Sequence, residues 1–266
     1  MQNEKLFETH SVFSTFLQRE VIVDFYFPPA KENLNGCDLL LINDGQDLIT
    51  MNFEKIFSEL YSQGKITPLL CVGIHCGPDR KNEYGTANHL NENGLGAKAE
   101  LYTAFILREL LPLIHESLEI ESFRNKSFCG FSLGGLSALD IVWNHPKEFS
   151  KVGVFSGALW WRSVSQDDKN FNEDNHRIMH NEIRSGDYYP WLKFFFETGT
   201  LDETADRNHN GIIDSIDDTI SLINELIIKG YDAKDDIFYL ELKDGKHDVT
   251  TWARAFPGFL KWGWRQ

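Results

Sequence analysis

The chain has 266 residues, 42% of them hydrophobic and 13% aromatic, which is enough apolar material for a substantial core and excludes an intrinsically disordered protein. A formal charge of −14 argues against nucleic-acid binding, which needs clustered Lys and Arg that this chain lacks. No apolar h-region follows Met1 and no apolar run is long enough to cross a bilayer, so a soluble, cytoplasmic protein with no membrane partner is expected.

No Pro/Ser-rich linker and no repeat divides the sequence, so a single domain over 1–266 is expected. Residues 1–8 read as a fraying terminus. Val12–Leu17 and the alternating Val21, Val23, Phe25 and Phe27 read as an extended, antiparallel opening closed by Pro28–Pro29. Asp38–Ile42 is a short apolar run of the kind buried on both faces of a sheet, and it ends in Asn43–Asp44–Gly45–Gln46–Asp47. Phe53, Ile56, Phe57, Leu60 and Tyr61 share one face of a helix that stops near Gly64. Leu69–Ile74 is a second buried strand. The polar stretch Cys76–Gly96 has no periodicity, and a loop of that length in a compact domain is usually functional.

A helix is expected from Lys98 to Ile114, kinked or ended by Pro112. Ser127–Cys129 is a strand, Leu136–Trp143 a helix and Val152–Phe155 a strand. Residues 157–190 read as an insertion over the sheet with a short helix near Ile178–Ile183. Leu192–Phe196 is a strand, Thr219–Ile228 a helix ended by Gly230, Ile237–Leu242 the last strand, and a terminal helix starts near Asp248. Strands alternating with helices indicate an α/β fold with a mostly parallel sheet flanked by helices and antiparallel N-terminal strands. Cys37, Cys71, Cys76 and Cys129 are scattered, and two fall in strand-like runs, so free thiols are expected rather than disulfides.

Between the third apolar strand and its helix lies Gly130-x-Ser132-x-Gly134, followed by Gly135. In a strand-turn-helix setting this pattern is a nucleophile elbow: the serine sits on a strained turn, and small neighbours let strand and helix approach. The helix begins at Ser132, so its free N–H groups lie where negative charge would develop. A serine hydroxyl needs a histidine base and a carboxylate to orient it, and with this elbow the chain order is Ser, acid, His. His10, His75, His89 and His115 precede Ser132, whereas His247 lies between the last strand and the last helix. The acid belongs after the Leu192–Phe196 strand. Asp202 fits that place, Glu203 is the runner-up, and Glu197 still belongs to the strand. The Leu133 amide and that of Gln46, in the loop after an earlier strand, are the expected oxyanion donors.

With these residues in place the chain resembles the esterase family of α/β hydrolases that includes the enterochelin and bacillibactin esterases and S-formylglutathione hydrolase. The likeness spans most of the sequence: Asp44-Gly45-Gln46, Arg80-x-x-Glu83-Tyr84, Gly130–Leu136, Ser156 to Trp161, Gly199-x-x-Asp202, and His247 followed by Trp252. The resemblance implies an α/β-hydrolase fold and hydrolysis of a small-molecule carboxylic ester by a serine enzyme, with no catalytic cofactor. It also implies a pocket lined by Arg80, Glu83, Tyr84, Trp160 and Trp161, against which stands a plain Arg80–Glu83 surface pair with an aromatic patch. Siderophore lactones, carbohydrate esters and thioesters are all cleaved within the family, and relatives transfer acyl groups. Acyl transfer and a non-catalytic binding module therefore stand as the alternatives to hydrolysis.

A second pattern is independent of the first. Asp206, Asn208, Asn210, Asp214 and Asp217 stand at positions 1, 3, 5, 9 and 12 of an EF-hand-like loop, with Gly211 at 6 and the Ile212 carbonyl at 7. Asp217 replaces the usual Glu, and no clear helix precedes the loop. Hard oxygen donors without thiolate point to structural Ca2+. Only three residues separate Asp202 from Asp206, so calcium is expected to hold the catalytic acid in place.

Overall fold

Eight strands form one sheet in the computed structural model, which describes residues 7–28 and 34–266. They are β1 (Phe7–Ser14), β2 (Arg19–Tyr26), β3 (Asp38–Asn43), β4 (Leu69–Ile74), β5 (Lys126–Phe131), β6 (Lys151–Phe155), β7 (Lys193–Leu201) and β8 (Ile237–Lys246). Their order across the sheet is β1-β2-β4-β3-β5-β6-β7-β8. The β1–β2 hairpin and the β2–β4 pair are antiparallel, and every other pair is parallel. This is the expected architecture: an α/β-hydrolase sheet, antiparallel at one edge.

Every residue of β3 and β4 is buried, as apolar runs covered on both faces must be. Alternation along the strands divides the core in two. On one face Leu39, Leu41, Val72, Phe128, Val152 and Phe194 meet the helix Leu133–Asn144 and the helical rod that begins at Ala99. On the other, Leu40, Ile42, Cys129, Phe131, Phe155 and Phe195 meet the helices Phe53–Ser62 and Val249–Trp264. Aromatic edges and faces lock this second layer. The ring of Phe155 stacks on Phe256 with centroids 5.2 Å apart and meets Phe259 edge-on at 5.5 Å.

Several boundaries differ from the sequence reading, each for a local reason. The first strand covers Phe7–Ser14, not Val12–Leu17, because the chain must turn back through residues 15–18 to pair β1 with β2. Phe7 and Glu8 are thus strand residues, while the expected fray over 1–6 and the position of Pro29 lie outside the described residues. Pro112 does not end its helix. The run Ala99–Phe105 widens to a π-helical Ile106–Leu110 and continues as Leu111–Ser117, with the proline in the first turn of that last stretch. A widened turn ahead of a proline accommodates its missing N–H. The helix Asp214–Lys229 starts five residues before Thr219, and Gly230 at φ 121° ends it as expected. All four cysteines are free; Cys37, Cys71 and Cys129 are buried and Cys76 is partly so. Among the described residues no helix is long and apolar enough to cross a membrane.

Candidate active site

Parallel strands send their carboxyl ends to one edge of the sheet, and the residues that leave β3, β5, β6, β7 and β8 gather there. Ser132 follows β5 directly. Its backbone sits at φ 53° and ψ −121°, a conformation that costs a non-glycine residue free energy and persists only where surrounding bonds enforce it. Such bonds are present here: Ser132 N–H to the Phe155 carbonyl at 2.8 Å, Ala158 N–H to the Ser132 carbonyl at 3.0 Å, and Leu136 N–H to that same carbonyl at 3.2 Å. The glycines are sterically required. A Cβ on Gly130 would lie 2.3 Å from the Gly134 carbonyl oxygen, and one on Gly134 would lie 2.6 Å from Asp44 Oδ2. The helix therefore begins at Leu133, earlier than the apolar run that starts at Leu136.

Asp202 and His247 are brought together by register. Leu201 at the end of β7 pairs with Lys246 at the end of β8, so the residues that follow them leave the sheet side by side. The two strands approach so closely that a Cβ on Gly199 would lie 2.4 Å from the Gly245 carbonyl carbon. Asp202 is fixed by two donors. Gly199 N–H reaches Oδ2 at 3.1 Å, and the Ser156 hydroxyl reaches Oδ1 at 3.1 Å. Ser156 in turn accepts the indole N–H of Trp252 at 3.0 Å, and the Trp252 ring stands 5.4 Å from the imidazole of His247. Burial lowers the His247 pKa from its ordinary 6.5, with Arg80 acting in the same sense and Asp202 and Asp248 opposing. Burial raises the Asp202 carboxyl, against the Gly199 and Ser156 hydrogen bonds and the attraction of His247. Glu203 faces elsewhere. Burial raises it too, with the charges of Asp214, Asp218 and Asp202 in the same sense and a hydrogen bond from the Ser215 amide opposing.

The loop after β3 completes the edge. Asp44 adopts φ 58° and accepts a two-pronged pair from Arg80, whose Nε and Nη2 each lie 2.7 Å from a carboxylate oxygen. Burial disfavours the guanidinium charge, but the Asp44 bonds outweigh it and the pKa is raised. The Gln46 side chain accepts Cys76 N–H at 3.1 Å. Among the described residues, no acceptor meets the backbone N–H of Gln46 or that of Leu133. Both amides are therefore free to donate to a ligand at this edge.

The family model described as "Putative esterase" matches residues 14–262. The chain belongs to this esterase family. Solved structures of similar fold include the enterobactin esterase of Shigella flexneri, at 18% identity and a TM-score of 0.72 over 97% of this chain and 59% of that one. A ferulic acid esterase matches at 16% identity and a TM-score of 0.70, with 96% of each chain covered. The siderophore hydrolase EstB of Aspergillus nidulans matches at 15% identity and 0.69, over 98% of this chain and 97% of its own. This esterase-family chain thus spans about three fifths of the Shigella enzyme's length, and the likeness is one of fold.

Of the five residues that the resemblance puts on a pocket wall, Arg80 reaches the site edge and Trp160 is 40% exposed. Glu83, Tyr84 and Trp161 are buried. The expected alternative, an Arg80–Glu83 surface pair, is not formed. Arg80 takes Asp44, and Glu83 is held by Arg19, with Nε 2.7 Å and Nη2 2.5 Å from its two oxygens. Tyr84 supports from behind, accepting Asp44 N–H at 3.2 Å. Sequence reasoning missed Asp44 and Ser156 as supports of the site. Both stand in motifs of the family likeness, but Asp-Gly also reads as an ordinary turn, and their supporting roles appear only with their hydrogen bonds and their positive φ.

The Asp206–Asp217 loop lies beyond Asp202 and is closed by its own hydrogen bonds. Asp206 Oδ1 and Oδ2 accept the amides of Asn210 at 3.1 Å and Gly211 at 2.9 Å, Asn208 Oδ1 also accepts Asn210 N–H, and Asn210 Oδ1 accepts Ile212 N–H at 2.7 Å. Asn208 Nδ2 donates to Asp217 at 2.7 Å, and Asp214 accepts Arg207 N–H at 2.8 Å. Among the described residues no three His, Cys, Asp or Glu side chains converge as metal ligands. Arg207 of this loop pairs with Asp214, and outside it with Asp218 and Glu173.

Proposed function

We propose that the chain is a serine carboxylic-ester hydrolase. Ser132 Oγ attacks the ester carbonyl as His247 takes its proton, Asp202 holds the imidazole, and the amides of Leu133 and Gln46 donate to the oxyanion. The resulting imidazolium returns the proton to the leaving alcohol, and water repeats the sequence on the acyl-enzyme. The observation that carries this reading is the strained turn at Ser132, which opens a helix beside the paired strand ends that bear Asp202 and His247. The names of the structural neighbours support small ester substrates such as a siderophore lactone or a hydroxycinnamoyl ester, and Trp160, four residues after Ser156, is an exposed aromatic surface. A fluorophosphonate probe should label wild-type protein at Ser132, as read by mass spectrometry of the modified peptide. Absence of label, or label elsewhere, would remove the nucleophile from this scheme.

The acid limb of the pH profile tests the base. His247 must be neutral to accept the serine proton, and burial lowers its pKa, so kcat/KM should hold as pH falls past 6.5 and drop only below it. A midpoint above 6.5, or a flat profile from pH 5 to 8, would contradict a buried histidine base.

Calcium in the Asp206–Asp217 loop is a separate proposal. Asp206, Asn208, Asn210, Asp214, Asp217 and the Ile212 carbonyl would hold it, and what supports it is an all-oxygen donor set on one loop. The Arg207 guanidinium beside Asp214 opposes a second cation, so affinity in the millimolar range is expected. Asp202 has two anchors outside this loop, Gly199 and Ser156, which weigh against the expectation that calcium holds it in place. Calcium at about ten times its Kd should therefore raise Tm by about 3 °C without changing ester turnover. No heat in a calorimetric titration at millimolar calcium would end the proposal.

A further inference from the structure

Behind the Asp202–His247 pair lies a carboxyl group that the scheme above leaves unused. Glu197 is 1% exposed, and neither of its side-chain oxygens has a hydrogen-bond partner among the described residues. It sits in β7 opposite Phe155 of β6 and Leu240 of β8, and its carbonyl accepts Ser156 N–H at 2.8 Å. An anion in such a place lacks the donors that would offset its desolvation, so the neutral acid is the favoured form. Its surroundings agree. Burial first and the charge of Asp202 second push the Glu197 carboxyl up to about 8, while Ser156 and the exposed Arg254 of the terminal helix act against them. Tyr239 of β8 lies on the other face of the sheet, its hydroxyl 2.6 Å from that of Thr198, and is itself raised, chiefly by burial.

Ser156 stands between the two carboxyls with a single hydroxyl hydrogen. It accepts from Trp252 and donates to Asp202, which leaves no second hydrogen for Glu197. We propose that Glu197 is a positioning residue of the catalytic triad: as a neutral acid it leaves the Ser156 hydrogen to Asp202, and once ionised it competes for that hydrogen and releases Asp202 from its orientation toward His247. Glu197 touches no reacting atom and acts only through Ser156 and the field at Asp202. The consequence is an alkaline limit on kcat that is not set by the nucleophile, the base or the leaving group.

This inference rests on the Ser132–His247–Asp202 reading, and its test is built to fail separately from it. The wild-type rate on a neutral aryl ester, corrected for spontaneous hydrolysis, should fall on the alkaline side with a midpoint near 8, to about a tenth of its plateau by pH 9, with the loss in kcat rather than KM. Glu197→Gln carries no charge at any pH, so it should keep its pH 7 rate within about threefold and stay flat to pH 9. An unchanged alkaline limb in the variant would overturn the proposal, as would a loss at pH 7 as large as that of Asp202→Asn. Should Glu197→Gln fold poorly, the wild-type protein still decides. Difference infrared spectra should show the carbonyl stretch of a protonated carboxylic acid at pH 7 that disappears through pH 8, and its absence at pH 7 would overturn the idea. If instead Asp202→Asn keeps the wild-type rate, the triad reading falls while the infrared titration of Glu197 stands on its own.

Discussion

Ser132→Ala is expected to reduce turnover of a simple aryl ester by at least about three orders of magnitude, the scale on which serine hydrolases lose rate when a triad member is removed. The fold should be untouched. The bonds that hold Ser132 at φ 53° use its backbone N–H and carbonyl, to Phe155, Ala158 and Leu136, and none uses Oγ. Steady-state kinetics beside a thermal melt separate the two effects. The expected pair is lost activity and an unchanged Tm. More than about a tenth of the wild-type rate surviving in the variant would place the nucleophile elsewhere.

Asp202→Asn should be the next largest loss, about 10² to 10⁴ in kcat/KM, because an amide keeps the shape of the carboxylate but turns an N–H₂ group toward partners that donate. Asp202 accepts from Gly199 on one oxygen and from Ser156 on the other and attracts His247, so neither oxygen can become an amide N–H₂ without facing a donor. Since Asp202 opposes the lowering of the His247 pKa, the acid limb of whatever activity remains should also move to lower pH. Glu203→Gln should stay within about threefold of wild type, because the Glu203 carboxyl is bonded by the Ser215 amide, and the charges that act on the His247 imidazole are those of Asp202, Arg80 and Asp248. The opposite ranking of the two variants would transfer the role to Glu203.

The parts of the fold that were legible in the sequence are those where one local signal decides the outcome. Leu69–Ile74 and Asp38–Ile42 read as buried strands because continuous apolar runs of that length have nowhere to go but the middle of a parallel sheet. The elbow was legible because steric demand at Gly130 and Gly134 leaves no choice of residue. Less visible were features that depend on partners remote in sequence. The Arg80-x-x-Glu83 spacing suggests a pair within one helical turn, yet Arg80 reaches back to Asp44 and Glu83 to Arg19. Pro112 reads as a kink or an end because its effect on the helix is local, while Phe105, Ile106, Leu110 and Ile114 bury into one core and keep the rod continuous. Ser156 stood in the sequence only as the first residue of the Ser156 to Trp161 motif, and its hydrogen bonds to Asp202 and Trp252 emerge only once β6, β7 and the terminal helix converge on it.

The pairing of Arg19 with Glu83 also bears on how the chain tolerates cutting and fusion. Glu83 is buried, and its charge is matched by a guanidinium from the hairpin at the outer rim of the sheet. Taking that partner away would strand a carboxylate at a cost of about 3–5 kcal/mol, a large share of the net stability of an ordinary domain. The same short turn carries Arg80, so the penalty falls on the segment that latches Asp44. The terminal hairpin, which looks like a dispensable edge, is thus a tether. A shortened chain that lacks it should resist proteases less along Asp79–Tyr84 than anywhere else, and it should fail at the edge that carries Asp44 and Arg80 before the central strands give way.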